Sequence, residues 1–148
     1  MIILILFGLG VIAPGCHRET DQDRVEKVVM DIKKYTQEKN VRKIMSNLSK
    51  AYTDPQGFDH EAIKGLLMGY FYQHPKISVY LTNLEISIQD TSARVTLQAI
   101  LSGGSKTGSA TDLIPESLGM YFLDISLKKE SDEWKVYSAK WERAGTDH

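Results

Sequence analysis

Acid–base chemistry in this 148-residue chain would have to start from Asp124 and a set of tyrosines. Asp124 sits in an alternating run, in phase with Phe122 and Ser126 and out of phase with Tyr121, Leu123, Ile125 and Leu127. Buried in an apolar pocket, such a carboxylate would have a raised pKa and would act as a general base. On the solvent side of a half-exposed strand it would be an ordinary surface acid, and this is the better-supported reading. Tyr52, Tyr70, Tyr80, Tyr121 and Trp141 are the candidates to line a pocket, offering apolar surface with a few hydroxyl donors. Packing in the core and at its rim accounts for the same aromatics. His60 follows a helix cap, His74 precedes Pro75 and His148 ends the chain, all read as surface positions. None has a second His or Cys at metal-ligand spacing, so neither metal nor cofactor is expected. No nucleophile elbow, phosphate-binding glycine loop or catalytic carboxylate pair is present.

The elements that would position these groups follow from composition and periodicity. With 42% hydrophobic and 25% charged residues, the chain suits one globular domain. Its 18 basic and 19 acidic side chains give a net charge of -1, which makes no electrostatic case for nucleic acid. Cys16 is the lone cysteine, so an internal disulfide is excluded.

Residues 1–12 are almost wholly apolar, too short for the roughly 20 residues of a membrane span and matching the apolar region of a secretory signal. Ala13-Pro14-Gly15-Cys16 then resembles a bacterial lipobox, in which cleavage precedes a lipidated cysteine. The expectation is a signal peptide over 1–15, a membrane anchor on Cys16 and a tether over 16–20. No Lys or Arg precedes the apolar run, as expected if the true start lies upstream of Met1. A histidine after Cys16 is compatible with outer-membrane sorting in a Gram-negative host. Localisation in the cell envelope, facing the periplasm or exterior, follows from these expectations.

Val25, Val28, Val29 and Ile32 predict a helix over about 21–38, capped by Thr20 or Asp21. Val41, Ile44, Met45 and Leu48 predict a second helix over 40–48. Asp59 caps a third, with Phe58 and Ile63 placed as a hydrophobic staple and Pro75 as the stop. From Ile77 the period becomes two. Ile77, Val79 and Leu81 give way to Leu84, Ile86 and Ile88 one residue out of phase, which predicts a bulge near Thr82-Asn83. Ala93 to Leu101 forms the next strand, with Arg94, Thr96 and Gln98 on its other face. Residues 103–119 read as a Gly/Ser-rich connection, with Leu113, Ile114 and Leu118 folding back. A hairpin over 119–143 closes the domain, with Trp134 and Val136 on one face and Ala139 and Trp141 on the other. Residues 144–148 form a frayed tail.

The opening amphipathic helix, Leu48-Ser49-Lys50-Ala51-Tyr52-Thr53-Asp54, the helix led by Phe58-Asp59 and ending in Tyr70-Phe71, and the strand Glu133-Trp134-Lys135-Val136-Tyr137-Ser138-Ala139-Lys140-Trp141-Glu142 together resemble the NTF2-like (SnoaL and ketosteroid-isomerase-like) superfamily. The resemblance spans about 21–143. It implies an α+β cone, with three N-terminal helices packed on a curved antiparallel sheet and a pocket at the open end. It also implies that catalytic members carry an Asp, His or Tyr inside the cone, and that members dimerise through the sheet. The expectation for this chain is a membrane-tethered envelope lipoprotein binding a small apolar ligand or a protein partner. The alternative is an isomerase- or hydrolase-type enzyme using Asp124 or a pocket tyrosine. A homodimer through the outer sheet face is a third expectation, although no apolar patch in the sequence demands it.

Overall fold

The computed structural model describes residues 18–103 and 116–145. The signal segment, Cys16 and residues 104–115, with Leu113 and Ile114, lie outside the described residues. Three helices precede four strands in chain order.

Helix α1 (Asp21–Gln37) begins with a capping box: the Thr20 hydroxyl accepts from the Asp23 amide at 3.1 Å, and the Asp23 carboxylate accepts from the Thr20 amide at 3.1 Å. It buries Val25, Val28 and Val29. Lys39 then takes a positive φ of 53°, which breaks the helix sharply. Asn40 caps α2 (Val41–Ser46) by accepting from the Lys43 amide. This helix is shorter than expected, because Leu48 leaves it to form a bridge with Val136. Tyr52 donates to Asp54 at 2.7 Å, and Asp54 in turn accepts from the Gln56 and Phe58 amides at 3.0 Å. Asp59 caps α3 (His60–Gln73), accepting from the Ala62 amide at 2.8 Å.

Strands β1 (Ile77–Gln89), β2 (Ser92–Gly103), β3 (Glu116–Glu130) and β4 (Glu133–Arg143) form one antiparallel sheet in the order β1-β2-β3-β4. The predicted bulge in β1 is present: register shifts between Thr82 and Glu85, with Asn83 at φ 52°. Ser131 and Asp132, both at positive φ, make the tight turn of the β3–β4 hairpin. Ala93, Val95, Leu97 and Ala99 of β2 join Ile125 and Leu127 of β3, Trp134 and Val136 of β4 and the α1 valines in one buried cluster. Leu127, Val25 and Val95 are fully buried. Each fully buried Leu or Val contributes about 1.5–3 kcal/mol by transfer from water.

One strand departs from its expected phase. Ser126 pairs with Ser138, but Leu127 pairs with Val136, so β4 carries an extra residue at Tyr137. That bulge resets the alternation. Trp134 and Val136 before it, and Ala139 and Trp141 after it, all join the same core cluster, rather than lying on opposite faces.

The turn end of the sheet is tied to α1 by polar contacts. Asp21 accepts from the Trp134 indole at 3.0 Å and from the Lys129 ammonium at 3.2 Å. Arg24 donates to the Asp132 carbonyl. Ser49, the buried polar residue of the loop after α2, donates to Glu130 at 2.6 Å.

Candidate functional site

The opposite end of the sheet, where β3 begins and β4 finishes, brings a tyrosine and an arginine together. Inward alternation along β4 runs from Ala139 through Trp141 to Arg143, and Arg143 pairs with Tyr121 across the strands. Gly119 makes this possible. Its φ is +126°, and a Cβ there would stand 3.0 Å from the Arg143 Nε and 3.3 Å from a Tyr121 ring carbon. Tyr70, near the end of α3, packs against the buried cluster that includes Leu118. Its ring centroid lies 4.5 Å from that of His74 and 6.5 Å from that of Phe71.

The Tyr70 hydroxyl is buried and has no hydrogen-bond partner among the described residues. Leaving such a group unpaired costs about 1–3 kcal/mol. Burial raises the Tyr70 pKa above the ordinary tyrosine value; nearby Tyr121 pushes it the same way, and Arg143 opposes. The neighbouring cluster of Phe71, Ile77, Val79 and Leu118, with Leu101 and Tyr70 packed against it, is apolar. The arrangement offers a donor hydroxyl beside hydrocarbon.

The other sequence candidates separate from this group. Tyr52 is buried, and burial and then Asp54 raise its pKa; its hydroxyl is committed to Asp54 and so holds the loop before α3. Trp141 is half-buried on the inner face, its ring 5.8 Å from Phe58. Tyr80 does not line the cone. It alternates with buried Val79 and inward Leu81, pairs with Ile100 on the outer face and is 59% exposed. Asp124 also faces outward. Arg94 grips it with two hydrogen bonds, Nε to Oδ1 at 2.8 Å and a terminal nitrogen to Oδ2 at 2.6 Å. The Arg94 hydrogen bond chiefly holds the Asp124 pKa below the usual carboxylate range, partial burial opposes it, and the charges of Arg94 and Lys140 add to the lowering. A general base in an apolar pocket needs the opposite shift. His60 is half-buried near Glu61, and His74 is half-buried against Tyr70 rather than exposed. Arg143 was not legible as a site residue by type, but it follows Trp141 in the inward phase of β4.

Two depressions are open to solvent. One, of about 410 Å³ on the outer sheet face, is lined by Asn83, Glu85, Gln98, Phe122, Asp124 and Lys140 among others. The second, of about 460 Å³, lies beside the start of α1 between Arg24, Lys27, Trp134 and Lys135. Among the described residues no three His, Cys, Asp or Glu side chains could together hold a metal ion. No helix among them is long and apolar enough to cross a membrane.

Sequence comparison finds no matching family model and no matching curated protein. Structural comparison finds many solved chains of one fold. A candidate dehydratase of the NTF2-like family from Streptomyces avermitilis is 13% identical and superposes with a TM-score of 0.73, over 86% of this chain and 99% of that one. An NTF2-like protein with a cystatin-like fold from Novosphingobium aromaticivorans is 9% identical, with a TM-score of 0.68 over 86% of this chain and 84% of that one. Bd1075 of Bdellovibrio bacteriovorus is 12% identical, with a TM-score of 0.67 over 88% of this chain; the match spans 44% of the Bdellovibrio protein's length. The α+β fold of this chain is thus the NTF2-like, cystatin-like fold.

Proposed function

We propose that this chain is a membrane-tethered envelope lipoprotein whose NTF2-like domain binds a small apolar ligand at the open end of its cone. The carrying observation is the buried Tyr70 hydroxyl, which has no hydrogen-bond partner among the described residues. A buried hydroxyl that costs stability and has no acceptor among the described residues is explained by a partner that arrives from outside. The tether rests on the apolar run and on Ala13-Pro14-Gly15-Cys16. Two or three acyl chains on Cys16 would hold the domain stably at a membrane. An isomerase or hydrolase would have to use Tyr70 or Tyr121, since Asp124 is ion-paired on the outer face.

Native mass spectrometry of the full chain, extracted from bacterial membranes in mild detergent, tests both parts. The expected mass lacks residues 1–15, carries acyl chains on Cys16 and retains a small molecule that leaves on unfolding. An uncleaved, unacylated chain would remove the tether. A bare polypeptide would remove the ligand.

The outer sheet face supports a second reading, docking of a second copy. Tyr80, Ile100 and Phe122 are 59%, 38% and 44% exposed there, and Ile100 sits between Tyr80 and Met120 in register. This apolar patch was not expected from the sequence, because its residues come from three strands. Around it, Arg94 meets Asp124 and Lys140 meets Glu142, so both signs of charge rim the surface. Tyr80→Lys should shift the full chain towards monomer in sedimentation equilibrium; a monomer before the substitution rejects the dimer.

A further inference from the structure

Helix α3 is apolar on two sides, although the domain covers only one of them. Its inner side buries Ile63 and Phe71, with Leu67 and Tyr70 packed beside them. Half a turn round the axis stand Ala62, Gly65, Met68, Gly69 and Tyr72, all exposed. Tyr72 is 88% exposed. A surface helix normally turns charge outwards, but the only Asp, Glu, Lys or Arg side chains of α3 are Glu61 and Lys64, both in its first half. Glycine weakens a helix interior, and nothing lies within 4 Å of where a Cβ would stand at Gly65 or Gly69. Packing inside the domain therefore requires neither glycine.

We propose that this side of α3 packs on the same side of α3 in a second copy of the chain, with the two helices antiparallel. The charges select both the occupant and the direction. About a two-fold axis level with Leu67, Gly65 of one copy lies opposite Gly69 of the other, and Glu61 lies at the level of Gln73. The glycines let the axes approach, and Met68 and Tyr72 of each copy flank the crossing. No like charges meet, and the two helix dipoles oppose. A parallel pair would set Glu61 against Glu61 and Lys64 against Lys64. A nearly uncharged face also offers no hold to a charged partner surface. The membrane fits less well. The chain enters α1 at Asp21, which is tied to Trp134 and Lys129 near the β3–β4 turn. Helix α3 lies by the other end of the sheet, with Phe58 on Trp141 before it and Phe71 clustered with Ile77 and Leu118 near its end. A tether over 16–20 would hold the membrane at the end remote from α3. This contact is separate from the outer sheet face, so either can form without the other. A contact made by one helix is smaller than a standard interface of about 800 Å² per partner, so the dimer should be weak and best read where the chain is concentrated.

The experiment cross-links the full chain in the membranes of the expressing bacterium with a short bis-maleimide and reads dimer on denaturing gels. The parent chain sets the background from Cys16. Ala62→Cys combined with Gln73→Cys places two thiols that face each other only across antiparallel copies. Both positions are exposed, so the fold should tolerate the change. Within one copy, and between equal positions of the two copies, the thiols stand at least about 15 Å apart at 1.5 Å per residue. The double variant should therefore give at least about tenfold more dimer than either single variant. Gly69→Leu, added to the double variant, should not lower the melting temperature, yet should cut the cross-link about tenfold by filling the crossing. A glycine needed only for the fold would lose both. Tyr80→Lys, on the outer sheet face, should leave the yield unchanged; a loss there would move the contact to the sheet and overturn this one. Dimer from Gln73→Cys alone would mean a parallel pair and overturn the arrangement. No dimer from the double variant would overturn the proposal outright. Gln73→Cys would then react freely with a water-soluble maleimide if the face is bare, or only after detergent is added if lipid covers it.

Discussion

The two faces of one sheet treat their polar groups differently. On the outer face Asp124 has Arg94, Lys140 has Glu142 and Thr82 reaches Gln98 at 3.4 Å. Those groups are partly solvated, and each has a neighbour of suitable chemistry. On the inner side, at the far end, Tyr70 presents a buried hydroxyl with no acceptor among the described residues. Polar pairing at a wet surface contributes little and signals little. An unmet donor in a dry place costs much more, so its persistence is the better sign of a site. The conspicuous carboxylate is therefore the weaker candidate, and the inconspicuous phenol the stronger.

The sharpest way to break the comparison is to truncate an equivalent apolar side chain on each face. Leu127 is fully buried, and Leu127→Ala should cost about 2–5 kcal/mol through lost transfer energy and the cavity left behind. Phe122 is 44% exposed on the other face, and Phe122→Ala should cost less than about 1 kcal/mol. Urea unfolding monitored by tryptophan fluorescence reads both. Comparable losses would mean that the outer face is covered in solution, which is the second-copy reading.

Gly119 should come next in size. Its positive φ and the 3.0 Å approach of Arg143 leave no room for a methyl group, so Gly119→Ala should destabilise by about 1 kcal/mol or more. The Arg143 side chain should move, visible as shifted guanidinium signals in NMR spectra. Tyr70→Phe runs the other way. Removing an unpaired buried hydroxyl should stabilise the domain by about 1 kcal/mol, raising its melting temperature by a few degrees. Stability gained together with binding lost is the signature of a functional group; stability lost would show that the hydroxyl is satisfied in solution.

Much of this architecture was legible in the chain, because period, caps and turns act locally. Thr20, one of the two candidate caps of the first helix, Asn40 before Val41 and Asp59 before the third helix all cap as their side chains predict. The β1 bulge was legible because Leu81 and Leu84 are strong apolar markers three residues apart. The β4 bulge leaves the same spacing, Val136 to Ala139, but Ala139 is a weak marker and Tyr137 suits either face. Tyr137 turns out to lie under the Lys128 ammonium, 4.3 Å from its ring centroid. Fold likeness extends to proteins 9–13% identical, so these local rules carry the architecture without a shared sequence. The site was less legible. Tyr121 and Arg143 belong to β3 and β4 and meet through strand register and the space above Gly119, while Tyr70 comes from α3. Tyr80 shows the converse: its type suggested a pocket, while its own alternation with Val79 and Leu81 already placed it outside.

The smallest effect concerns the outer carboxylate and depends on pH. Asp124 is held below the ordinary value of 3.8, first by its hydrogen bond from Arg94. Asp21 is likewise lowered, first by the Trp134 indole and then by Lys129. A carboxylate with a depressed folded pKa releases its proton more readily when folded, so it stabilises the fold above its unfolded pKa. That stabilisation is lost as pH falls through the folded pKa. Both acids should therefore contribute fully at pH 7 and fade below about pH 4. The Asp124 side chain is 37% exposed and Arg94 more so, which screens the pair and keeps its share small. Asp124→Asn should lower the melting temperature slightly at pH 7, and the difference from the parent chain should narrow as pH falls through the folded pKa and shrink in about 1 M salt. Asp21→Asn should follow the same pH trend with a larger difference at pH 7, because it also weakens the tie between α1 and Trp134. A difference for Asp124→Asn that survives at low pH would mean that the side chain acts by packing rather than charge. A melting curve for that variant that rises at pH 7 would be more telling. It would show that the carboxylate is strained where it stands, which would bring Asp124 back as a functional group and undo the contrast between the two faces.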